Sequence, residues 1–129
     1  VAEALEGLRR EGVRVAIDDL ASDRGALELL SLLRPELVKL DISLVRGIDA
    51  DPIRETLVSA LASLAAAMGA SVIAEGIETP AELDVLRALG IPLGQGFLLG
   101  RPHPLEAWVT DRAPARSSDA APLSPRAPR

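Results

Sequence analysis

Polar side chains stand where the apolar runs of this chain break off. Asp18 and Asp19 follow Val13–Ile17, Lys39 lies within Leu37–Asp41, Glu75 follows Ser71–Ala74, and Glu78 and Gln95 come close behind further runs. Adjacent carboxylates repel each other and are costly to desolvate, so a pair at a strand end calls for water, a cationic side chain or a metal. Neighbouring residues at a strand end point to different sides, which lets two aspartates serve two ions a few ångströms apart. The chain has no cysteine, and its one histidine, His103, is far along the sequence. An all-oxygen donor set of this kind favours Mg²⁺, Mn²⁺ or Ca²⁺ over structural zinc.

Lys39 is the only lysine among 14 basic residues. Its compact ammonium can hold a water, a phosphate oxygen or a carboxylate where a planar guanidinium would not fit. An ion pair with Asp18, Asp19 or Asp41 is a structural reading compatible with that role. Glu75, before the sharp turn allowed by Gly76, can bind metal or act as a base. Glu78 can serve the site or favour the dipole of the next helix. Gln95, between Gly94 and Gly96, offers an amide where backbone can approach a ligand. Arg101 reads as the partner of an acid, His103 as a surface residue and Trp108 as a packing anchor.

These groups need strands to deliver them to one edge. Val1, Ala4, Leu5 and Leu8 recur at helical spacing up to a stop at Gly12. Val13–Ile17 predicts a strand buried on both faces, as in a parallel sheet covered by helices. Ala26–Leu33 predicts a helix stopped by Arg34-Pro35, and Leu37–Asp41 a second strand. Asp51-Pro52 caps a long helix, 53–68. Ser71–Ala74 is a third strand, Thr79–Glu82 a capping box opening a helix to Leu89, and Gly96–Leu99 a fourth strand. Pro104–Val109 predicts one or two helical turns. Strands alternating with helices imply parallel βα units, whose catalytic groups gather at the C-terminal strand edge.

Composition narrows the classes. Of 129 residues, 48% are apolar but only 2% aromatic, so the core is aliphatic. The net charge is -5, and the Arg-containing tail leaves the body more acidic still. That argues against a nucleic-acid surface, which needs clustered basic residues, and so against a DNA partner. No apolar run reaches membrane-spanning length. Residues 110–129 are an Ala/Pro/Ser/Arg-rich tail expected to be disordered.

Ala16–Asp19, Leu37–Asp41, Val72–Thr79, and Gln95–Phe97 with Gly100–Pro102 together resemble the EAL family in order and spacing. The resemblance covers residues 1–109 and identifies a partial EAL domain. It implies an α/β fold, the C-terminal half of a modified (β/α)8 TIM-type barrel. It further implies metal-dependent hydrolysis of cyclic di-GMP to pGpG, with Mg²⁺ or Mn²⁺ in a two-metal site. Carried over by position, Asp18, Asp19 and Glu75 are metal ligands, Lys39 and Glu75 act in catalysis, and Glu78 and Gln95 support the site or substrate. The family's Glu-Ala-Leu strand, a metal-binding Asn and a further Glu are expected upstream of Val1, so this stretch alone is expected to be inactive. The loop after Asp19 departs from the family, with Ala21 and Asp23 where it has glycines. That departure supports an alternative, a degenerate EAL module acting as a non-hydrolytic cyclic di-GMP sensor or a protein-interaction domain. The resemblance also implies a homodimer, an upstream sensor or signalling domain, and a cytoplasmic location, with any membrane attachment left to upstream segments.

Overall fold

The computed structural model describes residues 2–18, 25–104 and 121–122. Helix α1 (Ala2–Arg10) carries Glu3 in its first turn and Arg9 and Arg10 in its last, matching the helix dipole. Strand β1 (Ala16–Ile17) follows, then α2 (Ala26–Leu33), β2 (Leu37–Leu40), α3 (Ile42–Val45) and a 3-10 turn at Ile48–Ala50. Helix α4 (Pro52–Ala67), β3 (Ser71–Ala74), α5 (Pro80–Ala88) and β4 (Leu93–Gly94) complete the alternating part. The last described pair, β5 (Ala121–Pro122), lies antiparallel against β4.

Strands β1 to β4 are parallel neighbours in sequence order. Parallel neighbours cannot be joined by a tight hairpin, so each connection carries a helix. The mixed α/β architecture with its parallel sheet is as expected for part of a TIM-type barrel. The helix starts were legible in the sequence. Asp51 accepts from the Ile53 and Arg54 amides at 3.1 Å each, with Pro52 at the first position of α4. Thr79 and Glu82 form the expected capping box of α5.

Three expectations are corrected. The fourth strand is Leu93–Gly94 rather than Gly96–Leu99. Gly96 lies so close to the backbone of Ile77 that a Cβ there would come within 2.2 Å of the Ile77 carbonyl oxygen. The chain after Gly94 therefore leaves the sheet to pack on the β3–α5 loop. Strand β1, expected to be buried on both faces, has Ala16 exposed and Ile17 buried, whereas β3 is buried on both faces from Val72 to Ala74. Burial alternates along β2, with Val38 and Leu40 wholly buried and Leu37 and Lys39 only partly so. One face lies under the helices, and the other carries the polar groups. Finally, within the tail expected to be disordered, Ala121–Pro122 is paired. The helical segment expected at 104–109, Trp108 and the remainder of the tail lie outside the described residues.

The core sits between the helix-facing side of the sheet and α3 to α5. Val38, Leu40, Val45, Ile48, Val58, Ala74, Ile77, Leu86 and Ile91 are fully buried in it. Fully burying one such aliphatic side chain stabilises by about 1.5–3 kcal/mol, so this layer fixes where the strand ends lie. No described helix is long and apolar enough to cross a membrane.

Candidate active site

Sheet register explains the site. Ile17 pairs with Val38, and Lys39 pairs with Ile73. One residue further along β1, Asp18 comes level with Lys39. Glu75 follows Ile73 by two positions, and side chains two apart share a face. Asp18, Lys39 and Glu75 are therefore brought to the face opposite Val38, Leu40 and Ala74. The side chains meet there. Lys39 Nζ lies 3.1 Å from Asp18 Oδ2 and 2.6 Å from Glu75 Oε1.

One ammonium thus joins carboxylates delivered by two flanking strands. Glu75 and Lys39 are mostly covered, with side chains 21% and 24% exposed, while Asp18 is 60% exposed. The hydrogen bond to Glu75 raises the Lys39 pKa above the ordinary ammonium value; desolvation opposes it, and Asp18 adds to it. Lys39 is fully charged at neutral pH. Of the ion-pair partners expected for Lys39, Asp18 is present, and Glu75, not foreseen as one, is the closer. Asp41 serves elsewhere: it caps α3, its Oδ1 accepting from the Ser43 amide at 2.7 Å. Those hydrogen bonds hold its carboxyl below the usual range. Asp19 lies outside the described residues.

Gln95 is the first residue after β4, as Glu75 is the first after β3, and their loops are tied by backbone bonds. The Gln95 amide donates to Ala74 O at 2.8 Å, and the Ile77 amide donates to Gln95 O at 3.1 Å. A pocket of about 210 Å³ opens between them, lined by Ile42, Glu75, Gly76, Glu78, Gln95, Gly96 and Phe97. Gly76, at φ +72°, is held against Ile42, leaving no room for a Cβ. Glu78 borders the pocket and pairs with Arg46. Phe97 is half exposed, with the Arg101 guanidinium 4.2 Å from its ring centroid. Among the described residues Arg101 thus meets an aromatic face, and no acid. The Arg46 partnership with Glu78 was missed in the sequence, where nothing marks Arg46 among 13 arginines. Glu82 was read only as a capping residue, and its reach to Gly47 was invisible.

Hard carboxylate oxygens from Asp18 and Glu75 fit a divalent cation of the Mg²⁺, Mn²⁺ or Ca²⁺ class. Among the described residues no group of three or more Asp, Glu, His or Cys is placed to hold one. Two strand-end carboxylates alone do not complete a donor set for such an ion. Glu3-Ala4-Leu5 does not add to it, because that tripeptide stands in helix α1 rather than at a strand end.

The comparisons identify the family. Residues 1–102 match the EAL domain model. The chain is 37% identical over 103 residues to the cyclic di-GMP phosphodiesterase NbdA of Pseudomonas aeruginosa, covering 80% of this chain and 13% of that protein. Among solved structures, the Klebsiella pneumoniae BlrP1 manganese/cyclic di-GMP complex superposes with a TM-score of 0.72 at 37% identity, over 78% of this chain and 26% of that one. The EAL domain of Mycobacterium smegmatis DcpA gives 0.75 at 38% identity, over 78% of this chain and 45% of that one. The chain thus spans less than half the length of these relatives. On motif order, fold and family match together, the chain belongs to the EAL domain family.

Proposed function

We propose that this chain supplies the Asp18–Lys39–Glu75 half of a metal-dependent phosphodiesterase site that hydrolyses cyclic di-GMP to pGpG. The observation that carries the proposal is one ammonium joining two strand-end carboxylates beside a pocket that holds Gln95 and Glu78. Asp18 and Glu75, with Asp19, would hold Mg²⁺ or Mn²⁺. When bound, such ions polarise a phosphoryl oxygen and lower the pKa of water.

The chain's own residues account for the remaining chemistry. Glu75 accepts a proton from the water that attacks phosphorus in line with the leaving 3′ oxygen. The P–O bond to that oxygen breaks, the oxygen takes a proton from solvent, and the cyclic dinucleotide opens to a linear one. Lys39 keeps the two carboxylates at one point and offers positive charge to the phosphoryl oxygens as they become more negative. The exposed ring of Phe97 suits a purine, since a base gains from stacking on an aromatic face. A pocket of 210 Å³ is small beside typical ligand sites of about 300–1,000 Å³. It suits one part of the dinucleotide, with the rest held by the remainder of a barrel. That division also supports the expectation that the chain alone does not turn over substrate. The reading places the domain in the cytoplasm, in a homodimer and downstream of a sensor or signalling domain.

The alternative is a non-hydrolytic sensor or interaction module, favoured by the substitutions at Ala21 and Asp23. One experiment separates the two. In the intact protein with Mn²⁺, Glu75→Gln is expected to lower hydrolysis by about 10²–10⁴-fold, the range for loss of a general base, with the fold intact. Parent-like turnover by this variant overturns the assignment. Tight binding of cyclic di-GMP without turnover by the parent selects the sensor.

A further inference from the structure

We infer that Glu82 is a positioning residue for the site, a deeper reading that rests on the function proposed above. Glu82 is 2% exposed, and a buried carboxylate needs full hydrogen-bonding compensation. The capping box accounts for only part of it, namely the Thr79 amide at 3.0 Å and the return bond from the Glu82 amide to Thr79 Oγ1. Two more amides converge on the same carboxylate. Glu78 N donates to Oε2 at 2.9 Å, and Gly47 N donates to Oε1 at 2.9 Å from 35 residues away.

The Glu78 contact is local to the entry of α5, and the Gly47 contact crosses to another loop. Gly47 belongs to the turn after α3, next to Arg46, and Arg46 pairs with Glu78 on the other loop. Carboxylate and ion pair therefore close a ring joining the α3 turn to the segment 75–79 that carries Glu75 and Glu78. The opposite side of that segment is held by the backbone bonds of Ile77 to Gln95 and Leu98. Toward α3, the Arg46–Glu78 pair is exposed, and exposed pairs constrain little. Glu82 provides the buried polar anchor on that side. The need is specific for a carboxylate, because an amide has one acceptor oxygen and would turn an N–H₂ group toward one of the backbone donors.

The test uses the intact protein and the variants Glu82→Gln, Glu82→Ala and Thr79→Ala. Amide hydrogen exchange is followed in peptides around Gly47 and around Glu78, with kcat and KM for cyclic di-GMP measured alongside. For Glu82→Gln, exchange at both loops is expected to rise about tenfold, with kcat falling about tenfold and KM within about twofold. Thr79→Ala, which leaves the carboxylate and its amide donors in place, is expected to lower the melting temperature while keeping kcat within about twofold of the parent. If Glu82→Ala does not fold, the isosteric Gln variant decides the question.

Faster exchange confined to residues 78–82, with Gly47 unchanged, reduces Glu82 to a helix cap and overturns the inference. So does parent-like kcat in Glu82→Gln with both loops loosened. If the parent itself hydrolyses nothing, the proposed function fails. The exchange pattern then still decides whether Glu82 joins the two loops.

Discussion

The two ends of the sheet each hold an ion cluster, and they are built differently. At the N-terminal end Glu36 accepts from Arg9 Nε and the Val15 amide, both at 2.7 Å. Arg9 also donates to Leu33 O, Arg34 O and Glu6. The fork of a guanidinium is filled by acceptors from α1, α2 and the residue before β2, so this cluster ties elements together. At the C-terminal end Lys39 is a point charge between two carboxylates, and among the described residues it is the only ion-pair partner of Glu75. Planar arginine locks geometry, whereas a lysine can be supplemented or displaced by another cation. The first cluster is mortar, and the second keeps room for chemistry.

Pocket size alone would mislead here. The larger cavity, about 660 Å³, is lined by Leu30, Ser31, Arg34, Leu64, Ala67 and Met68. These residues close α2 and α4, where the chain turns back into β2 and β3, and none is a carboxylate. The smaller pocket lies beside Glu75 and Gln95.

The largest stability effect expected is at the junction of the site loops. Gly96→Ala puts a Cβ 2.2–2.3 Å from the backbone of Ile77. Backbone cannot swing aside as a side chain can, so a loss of at least the ~1–3 kcal/mol of ordinary overpacking is expected. Chemical denaturation measures it, and parent-like stability would show that the two loops are not packed this closely. The next effect sets the clusters against each other. Lys39→Met leaves Asp18 and Glu75 without their shared cation, while Arg9→Met strips Glu36 of its own. Both are expected to lower the melting temperature, by roughly 4–8 °C at most. Millimolar Mn²⁺ is expected to restore the Lys39 variant alone, because binding only to the native state stabilises it. Equal rescue of both, or of neither, would erase the distinction.

A smaller effect is expected from Glu36→Gln, which keeps the shape but weakens the bonds to Arg9 and Val15. Stability should fall by about 1–3 °C, while kcat in the intact protein stays at the parent value. A drop in kcat would mean that the N-terminal cluster reaches the site.

The smallest effect is a pH dependence. Burial opposes ionisation of Glu82, but the Gly47, Glu78 and Thr79 amides and the Thr79 hydroxyl outweigh it, so its pKa lies below the ordinary carboxylate value. The unfolded chain then binds this proton at higher pH than the native one does. The stabilisation is complete above the ordinary value of 4.5 and is lost as pH falls through the lower native value. Acid titration of the unfolding free energy should show this component in the parent and less of it in Glu82→Gln. Identical profiles would remove Glu82 from the acid response.

Where local chemistry decides, the sequence was sufficient. Asp51-Pro52 and Thr79–Glu82 announce α4 and α5 because caps are made within one turn of chain. Short apolar runs announce β2 and β3, and the polar residues within or just after them, Lys39 and Glu75, mark candidates for the site. Family resemblance then gathered those residues into one expectation before any geometry was known.

Tertiary structure alone decided which of them meet. Lys39 could have paired with Asp41, two residues away, yet the strand ends at Leu40 and Asp41 turns off to cap α3, and register brings Asp18 and Glu75 to Lys39 instead. The fourth strand was misplaced because Gly96–Leu99 is apolar enough for a strand. The close approach of Ile77, which pulls it out of the sheet, is a contact across 19 residues. The Gly47–Glu82 and Arg46–Glu78 links likewise span 35 and 32 residues. Composition and periodicity record what each segment prefers to be. Partners this far apart are chosen only when the packed aliphatic layer fixes where the loops end.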